Sequence, residues 1–435
     1  MRWIVTHPKL RNLDAQVALR DGSPVFYLRD PLSLSEQAVA VPQVLGPVLA
    51  LLDGSRDAGD VAAEVEARYG LEIGRDAVVR IVDTLDRLYL LDNERAAQAT
   101  QAATLRYRES DFRAPFHAGQ TYPADPRALS SLFDGFLAAV DGDPDDRGSE
   151  PSASSHLHAR GVVSPHIDYV RGGLTYARVW ARAGEAARAA ELVVLVGTDH
   201  FGRRGSITLS HPPYATPWGV LPQPPSVVEQ LAVAIGSGEA YADELHHLTE
   251  HSVELSANWL HHSRRGEPVA TVPVLVGSYD GFVDGPTEHV ADADRHEGAA
   301  PSSARQGGDP AAAQRANGFV GALREVMRDR RVLLVASVDL SHVGPAFGGE
   351  PVDAVGRERL LASDRALLDR VTAGDTEGFV SALRDGADTN VCGSGPLYLV
   401  LRALGETSGD DVDYQVCPAD DADSSVVTIS GMLLR

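Results

Sequence analysis

Three short apolar runs, each rich in valine and leucine, end at or beside a histidine in this 435-residue chain. They are Gly161–His166, Leu192–His200 and Val332–His342. Short apolar runs with many β-branched side chains and polar ends are typical of buried strands. Ligands in open α/β sheets gather outside the carboxyl ends of the strands, so three parallel strands would bring these histidines, with Asp199 and Asp339, to one edge. The sequence therefore predicts an active site at that edge.

Composition, length and charge limit the kinds of protein and partner that this chain can represent. The 43% hydrophobic and 23% charged residues are typical of a globular protein, and the length favours more than one domain. No apolar run approaches the roughly 18 residues needed to cross a bilayer, and the N-terminal residues lack a signal-peptide core, so we expect a cytoplasmic protein without a membrane partner. A formal charge of −22 argues against nucleic acid as a partner. The two cysteines, Cys392 and Cys417, are too few for a disulfide framework.

Residues 1–98 are predicted to form a separate, small, helix-rich domain of winged-helix type. Alternating apolar and polar residues predict a hairpin around Asp21–Gly22, and helical periodicity follows at residues 44–52, 61–69 and 77–91. The stretch LLDGSRDAGDVAAEVEARYG, followed by RIVDTLDRLYLLD, resembles the PqqD-like family of small peptide-binding domains. That resemblance implies a site for a peptide or protein partner; any winged-helix-like packing domain is the alternative.

Residues 99–111 are predicted to form a linker, either a helix or a tether, and residues 112–435 an α/β domain with a central sheet flanked by helices. The alternation of strand-like and helix-like segments indicates this architecture. Polar stretches near 141–160 and 280–317 are predicted to be mobile insertions, because they hold too few large apolar side chains to offset their ordering entropy.

His166 and His200 each follow a predicted strand and are candidate metal ligands. Neutral imidazole is the commonest metal ligand, and two histidines from different strands favour a metal site more than either does alone. Gly197 and Gly202 flank the second histidine and would allow the backbone to approach a ligand closely. We expect Asp199 to hold the tautomer of His200. Without a metal, each histidine is interpreted as a hydrogen-bonded structural residue.

Cys392 lies in the segment NVCGSGP, just before a predicted helix. Unpaired backbone N–H groups and the helix dipole at such a position stabilise a thiolate, which suits a metal ligand or a nucleophile. A small buried apolar cysteine is the alternative. Cys417 has no such setting and is expected to be inert.

His342 and His251 are candidates for proton transfer. The adjacent Ser341 points away from His342, so the two cannot pair as nucleophile and base, and His342 is interpreted as a general acid–base or supporting group. His251 is predicted to lie at the start of a helix capped by Thr249, with Glu254 on the same face. The segment lacks the H-E-x-x-H pattern, so zinc-protease chemistry is not indicated.

Eight motifs occur in order along residues 112–435: Arg113 with HAGQTYP (117–123), SPHIDY (164–169), VGTDH (196–200), ATPWG (215–219), EHSVE (250–254), VPVLVG (272–277), SVDLSHVG (337–344) and VCGSGP (391–396). The series resembles the Memo family, whose bacterial members include AmmeMemoRadiSam system protein B. The resemblance implies a fold like that of class III extradiol dioxygenases, which use non-haem iron. It implies a metal site of His166, His200 and Cys392, an acid–base role for His342, and places for His117 and His251 near the same cleft.

Two departures bear on the chemistry that the resemblance implies. The ring-cleaving dioxygenases use a carboxylate as third ligand, and Cys392 takes its place here. A thiolate is softer and favours copper, zinc or a differently tuned iron. AGQTYP stands where many members read AGSWYP, so Thr121 replaces an aromatic side chain near the predicted cleft.

These features lead to three functional hypotheses. The first is a dioxygenase-like oxidoreductase with iron or copper, or alternatively zinc, that acts on a small molecule or peptide with His342, Asp339 and His251 as catalytic residues. The second is a peptide-binding or regulatory module with a structural or vestigial metal site, whose N-terminal domain presents a peptide or a radical-SAM partner. The third is a metal-free hydrolase that uses Cys392 with His342 or His251.

Overall fold

The structure is a computed structural model of the chain, and it describes residues 5–20, 22–35, 37, 39–141, 159–283, 308–386 and 389–435. The chain forms two compact units, Met1–Ser110 and Asp111–Arg435. Most of the two predicted insertions, residues 142–158 and 284–307, lies outside the described residues. Among the described residues, no helix combines the length and apolar character needed to cross a bilayer.

The N-terminal unit combines an antiparallel sheet with helices. Its elements are β1 (Asp14–Arg20), β2 (Ser23–Arg29), β3 (Val39–Pro42), α1 (Gly46–Ala50), α2 (Ala58–Tyr69), α3 (Arg75–Arg87) and α4 (Glu94–Arg108). Strands β1 and β2 form the predicted hairpin, whose turn residue Asp21 lies outside the described residues. Asp57 and Asp60 form a capping box that fixes the start of α2. Helix α4 occupies most of the stretch 99–111 that we predicted to be a linker.

The C-terminal unit has a mixed sheet with helices on both faces, and the predicted α/β class is confirmed. Its elements are α5 (Pro126–Asp141), β4 (Gly161–Ser164), α6 (Tyr169–Ala189), β5 (Leu192–Thr198), β6 (Ile207–Leu209), β7 (Ala215–Thr216), β8 (Gly219–Val220), α7 (Pro225–Ile235), α8 (Ser252–Ser263), β9 (Ala270–Val276), α9 (Pro310–Arg328), β10 (Val332–Ser337), β11 (His342–Val343), α10 (Ala354–Thr372), α11 (Thr376–Asp385), α12 (Ser394–Leu404), β12 (Gly409–Pro418) and β13 (Val426–Leu434). Within the described residues, the sheet order is β11-β13-β4-β10-β5-β9-β6, with β12 paired to β13.

Successive side chains of the central strands pack alternately into two apolar cores, one on each face of the sheet. On β5, Val194 and Val196 pack with residues of α7, α9 and α12, whereas Val193 and Leu195 pack with residues of α5, α6 and α8. Successive side chains of a strand point to opposite faces, so a strand buried on both faces reads as a continuous apolar run. This burial explains why the apolar runs of β4, β5 and β10 contain almost no polar residues.

The three histidine-ended strands are neighbours. Strands β4, β10 and β5 are adjacent and parallel, with Ser337 of β10 in register with Ser164 on one side and Gly197 on the other. The loops that follow them therefore leave the same edge of the sheet, as predicted. A side chain at Gly197 would place a Cβ 2.6 Å from Ser252 Oγ, so glycine there lets the start of α8 approach the end of β5.

Candidate metal centre

Four metal-ligating side chains converge at this edge of the sheet. His166, His200 and His251 each offer a ring nitrogen, and these nitrogens lie within 4.8 Å of one another. The Sγ atom of Cys392 lies 3.3 Å from Nε2 of His166. The loops after β4 and β5 and the segments before α8 and α12 supply these residues, so the structure brings together residues that are 226 positions apart in sequence.

His166 is buried and held in one orientation. Its Nδ1 donates a hydrogen bond to the carbonyl of Ser337 at 2.9 Å, and its backbone N–H donates to Oδ1 of Asp339 at 2.8 Å. With Nδ1 used in this way, the neutral ring carries its lone pair on Nε2, the nitrogen that faces Cys392. The hydrogen-bond network therefore assigns the tautomer that can bind a metal.

His200 is oriented by Glu250. Its Nδ1 lies 3.1 and 3.0 Å from the two carboxylate oxygens of this buried residue, which leaves Nε2 as the nitrogen available to Cys392 or a metal ion. The expectation that Asp199 holds His200 is wrong, because both Asp199 oxygens lie 3.0 Å from Nδ1 of His246. The carboxylate that serves His200 comes from a different part of the chain.

Glu250 also fixes His251 and the start of α8. Its Oε1 accepts the backbone N–H groups of His251 and Ser252 at 2.8 and 3.0 Å, and His251, not the predicted Thr249, is the cap residue of this helix. The same oxygen lies 3.2 Å from Nδ1 of His251. The ring of His251 stacks on that of His200, with centroids 4.9 Å apart and planes 10° apart. His251 is thereby placed as a further donor or a proton carrier beside the two predicted histidine ligands.

The charge state of the centre without metal follows from its contacts. Burial raises the pKa of the Cys392 thiol. This effect is outweighed by the charges of the His166 and His342 imidazoles and by hydrogen bonds from His166 and His200, which hold the pKa well below its usual range. Burial lowers the pKa of His166, but Asp339 and Cys392 favour the charged ring and raise the pKa to about 9. The pair is therefore a thiolate beside an imidazolium, and a metal ion would displace the proton.

Asp339 and His342, the other predicted catalytic residues, both interact with Cys392, whose Sγ lies 3.5 Å from the carbonyl oxygen of Asp339. Asp339 is buried, and its Oδ2 lies 3.7 Å from Nε2 of His166 while its Oδ1 accepts the N–H groups of His166 and Ile167. His342 is half-buried, and its Nδ1 donates to the carbonyl of Leu340 at 3.1 Å, so Nε2 of its neutral ring is the acceptor.

Glu254 of helix α8 binds the Arg113–Tyr122 segment through hydrogen bonds. The buried Arg113 guanidinium and the Tyr122 hydroxyl both donate to its carboxylate, as do the N–H groups of Phe116 and His117 at 3.0 and 2.9 Å. The Nε2 of His117 donates to the carbonyl of Thr249 at 2.8 Å. His117 therefore holds the segment that carries Glu250 and is not one of the clustered donors.

The donor set fits a transition-metal ion. Imidazole nitrogens with a thiolate suit iron, copper or zinc, the ions that the sequence predicted. Metal-bound histidines almost always donate their other ring N–H to a carbonyl or carboxylate, and His166 and His200 have these partners in Ser337 and Glu250. Sequence reasoning missed Glu250 and Ser337; the signal for Glu250 was its place next to His251 in the EHSVE motif.

Comparisons with known proteins give the family. The family model described as Memo-like protein matches residues 113–288 and 311–433. A MEMO1 family protein of Aquifex aeolicus is 26% identical over 431 residues, which cover 98% of this chain and 99% of that protein. MEMO1 family proteins of Thermus thermophilus and Methanopyrus kandleri are each 26% identical, covering 80% and 69% of this chain and 90% and 91% of their own. The predicted resemblance of residues 112–435 to the Memo family is confirmed, and the chain belongs to the Memo-like protein family.

Proposed function

We propose that this Memo-family chain is a metal-dependent oxidoreductase whose ion is held by Nε2 of His166, Nε2 of His200 and Sγ of Cys392. One observation carries the proposal. Both imidazoles use Nδ1 to donate to fixed acceptors, which leaves Nε2 of each ring to bind an ion once its proton is displaced, and the thiolate lies 3.3 Å from Nε2 of His166. Such preset ligands lose little freedom when they bind an ion.

The protein's own residues would shape the chemistry. When bound, iron or copper supplies one-electron redox chemistry and Lewis acidity, whereas zinc supplies only the latter. His342 would accept or donate a proton at its free Nε2, since its Nδ1 is held by Leu340. Asp339 would keep the His166 backbone in place. His251, whose side chain is 39% exposed, would contact a small molecule or peptide that enters from solvent.

Elemental analysis of protein purified without added metal tests the ligand set. We expect close to one ion per chain in the wild type and less than about a tenth of that in His166→Ala and Cys392→Ser, because each removes a donor. Cys417→Ser is the matched control, since that cysteine is buried in the apolar core. Equal metal content in all four proteins would overturn the proposed ligand set.

The oxidoreductase part has its own test. The ion that copurifies should be iron or copper and should change oxidation state reversibly when ascorbate or ferricyanide is added, as followed by its absorption and electron paramagnetic resonance spectra. A copurified ion that is zinc, or one that cannot be reduced and reoxidised in place, would leave metal binding intact and overturn the redox function.

A second candidate is a metal-free, thiol-based hydrolase, favoured by the contact of Cys392 with His166. The predicted base was His342 or His251, whereas the geometry favours His166. Hydrolysis of model esters that survives removal of metal and is lost in Cys392→Ser would support this candidate. The predicted radical-SAM association and peptide binding by the N-terminal unit are proposed only from the resemblance, and a peptide that binds metal-stripped and metal-loaded protein equally well would favour a regulatory module.

A further inference from the structure

A cavity of about 680 Å³ lies among helices α5, α6 and α8 of the C-terminal unit. It is lined by Trp180, Trp218 and Trp259, which are three of the four tryptophans in the chain. We call it the tryptophan cavity. Its volume falls within the range of small-molecule sites, and such sites are usually aromatic and apolar with a few polar groups.

The tryptophan cavity is separate from the metal centre. His251 immediately precedes helix α8, whereas His262, in the last turn of that helix, lines the cavity. Eleven residues at a helical rise of about 1.5 Å place the two positions roughly 16 Å apart. A ligand in this cavity would therefore leave the donors of the metal centre untouched.

Positive charge surrounds the opening. Arg127, Arg188 and Arg265 line the cavity and are exposed, whereas Asp134 is the one carboxylate in its lining and lies 3.2 Å from Nε2 of His262. Among the described residues, Arg127 and Arg265 have no side-chain partner. This excess of arginine is notable in a chain whose formal charge is −22. Arginine binds carboxylates and phosphates through paired hydrogen bonds.

Arg265 occupies a backbone position that favours glycine. Its φ is 60°, and it follows the end of α8 with its N–H donating to His262, while the next N–H, of Gly266, donates to His261. This is a Schellman ending, in which the left-handed residue is usually glycine because a side chain adds strain. An arginine is present at the cavity opening in spite of that strain, and folding alone does not require it.

The indole groups also leave a donor unused. Nε1 of Trp180 donates to Ser164 at 3.0 Å, and Nε1 of Trp218 donates to Ser130 at 3.2 Å. The N–H of Trp259 is buried and has no partner within the described residues. A stacked Phe133 ring, with centroids 4.1 Å apart, fixes the Trp259 ring in place. Buried donors without partners are rare in folded proteins.

We propose that the tryptophan cavity binds a small planar aromatic anion. The ring packs against Trp218, which is partly exposed, whereas Trp180 and Trp259 are buried; aromatic contacts favour a flat apolar group. The anionic group lies at the opening, where Arg127, Arg188 and Arg265 supply donors and positive charge. The anion is a carboxylate or a phosphate ester, and the arginines recognise the charge that the two share.

Calorimetric titration of the full-length protein tests this site with 2-naphthoate, 2-naphthyl phosphate and the neutral 2-naphthylmethanol. We expect one binding event per chain for at least one of the anions, and at least tenfold weaker binding of the alcohol. Tighter binding of the ester identifies a phosphate ligand, and tighter binding of naphthoate a carboxylate. Binding of neither anion, or equal binding of the alcohol, overturns the proposal.

Two variants locate the site. Arg265→Gly should weaken binding of the anion at least tenfold while the melting temperature stays equal or rises, because glycine relieves the backbone strain. Arg127→Gln should also weaken binding, and Arg359→Gln, an exposed arginine on α10, should leave it unchanged. Unchanged affinity in both cavity variants, or loss of binding in His166→Ala, overturns the proposal.

Discussion

The carboxylate of Glu250 lies 3.0 Å from Nδ1 of His200, whereas the neighbouring Asp199 directs its carboxylate to His246. Because Oε1 of Glu250 also lies 3.2 Å from Nδ1 of His251, one buried side chain orients two imidazoles. The stack of these two rings therefore depends on the rotamer of Glu250. This makes Glu250 a positioning residue for the proposed metal ion.

Glu250→Gln should weaken metal binding by about ten- to hundredfold, the usual effect of removing a hydrogen-bond partner of a metal-bound histidine. The amide cannot serve as a charged acceptor for both imidazoles. Competition with a chromophoric chelator measures the affinity for Co²⁺ or Zn²⁺. Glu244→Gln is the matched control, because Glu244 is equally buried and holds His211 instead. Equal losses in both variants would show a general destabilisation and contradict the positioning role.

The metal-free protein should keep a reactive Cys392 at mildly acidic pH. Because the pKa of this thiol lies well below its usual range, alkylation by iodoacetamide should change less than about threefold between pH 8 and pH 6, whereas an ordinary thiol slows by about tenfold per pH unit. Mass spectrometry measures the rate at each cysteine. Burial raises the pKa of Cys417 to about 12, so this second cysteine should label far more slowly.

His166→Ala provides the control for this pH profile. It removes the imidazole that lies 3.3 Å from Cys392, so the rate should regain a steep pH dependence. A rate that falls steeply in the wild type, or stays flat in the variant, would contradict the thiolate–imidazolium pair. Added metal should slow alkylation in the wild type, because a bound thiolate is a poorer nucleophile.

Much of the fold could be predicted because its central strands are buried on both faces. The apolar runs around Leu192 and Val332 contain β-branched residues throughout, and their strand form and parallel order follow from that pattern. Strand β12 was missed, because this outer strand is rich in Asp and pairs only with β13 among the described residues. An outer strand needs fewer apolar side chains and leaves a weaker pattern.

Helix α9 shows why the predicted end of the second insertion differs from the structure. It begins at Pro310, inside the stretch 280–317 that we predicted to be a mobile insertion. That prediction considered large apolar residues, whereas this helix packs through small ones. Ala312 and Ala316 are fully buried, and a Cβ at Gly318 would lie 2.1 Å from the carbonyl oxygen of Ala234 on α7. Close packing of small residues produces little hydrophobic signal in the sequence.

The predicted donors His166, His200 and Cys392 come together, but the partner of His200 could not be read from the sequence. Adjacent residues in extended chain point to opposite sides, which is the reasoning applied to Ser341 and His342. It applies equally to Asp199 and His200, and it excludes Asp199 as the partner. Identifying Glu250 instead required the approach of α8 to β5, which is a property of the packed fold.

Arg113→Met should destabilise the protein by about 3–5 kcal/mol, the usual cost of removing one partner of a buried ion pair. The side chains of Arg113 and Glu254 are fully buried, and the substitution leaves the carboxylate charged without its cation. Urea unfolding followed by tryptophan fluorescence measures the change. Arg359→Met, at an exposed position, should alter stability by less than about 0.5 kcal/mol. A similar small change in Arg113→Met would contradict the structural role of this ion pair.

His247 should make the protein sensitive to acid. Burial lowers the pKa of its ring to about 3; Nε2 donates to the carbonyl of Thr208 and Nδ1 accepts from the Tyr214 hydroxyl. Between about pH 6.5 and pH 3, the unfolded chain binds a proton at this ring and the folded chain does not. The contribution of His247 to the free energy of unfolding therefore falls by about 1.4 kcal/mol per pH unit as the pH decreases.

His247→Gln should remove that slope. The variant is less stable than the wild type at pH 7 because it loses hydrogen bonds, but the difference should shrink by about 1.4 kcal/mol for each pH unit below 6.5. Tyr214→Phe is the control: it deletes the hydroxyl that donates to His247 and keeps the titrating ring, so it should lower stability at every pH with the wild-type slope. Urea unfolding between pH 7 and pH 5 measures all three proteins. Parallel pH profiles of the wild type and His247→Gln would show that this ring titrates alike in the folded and unfolded states.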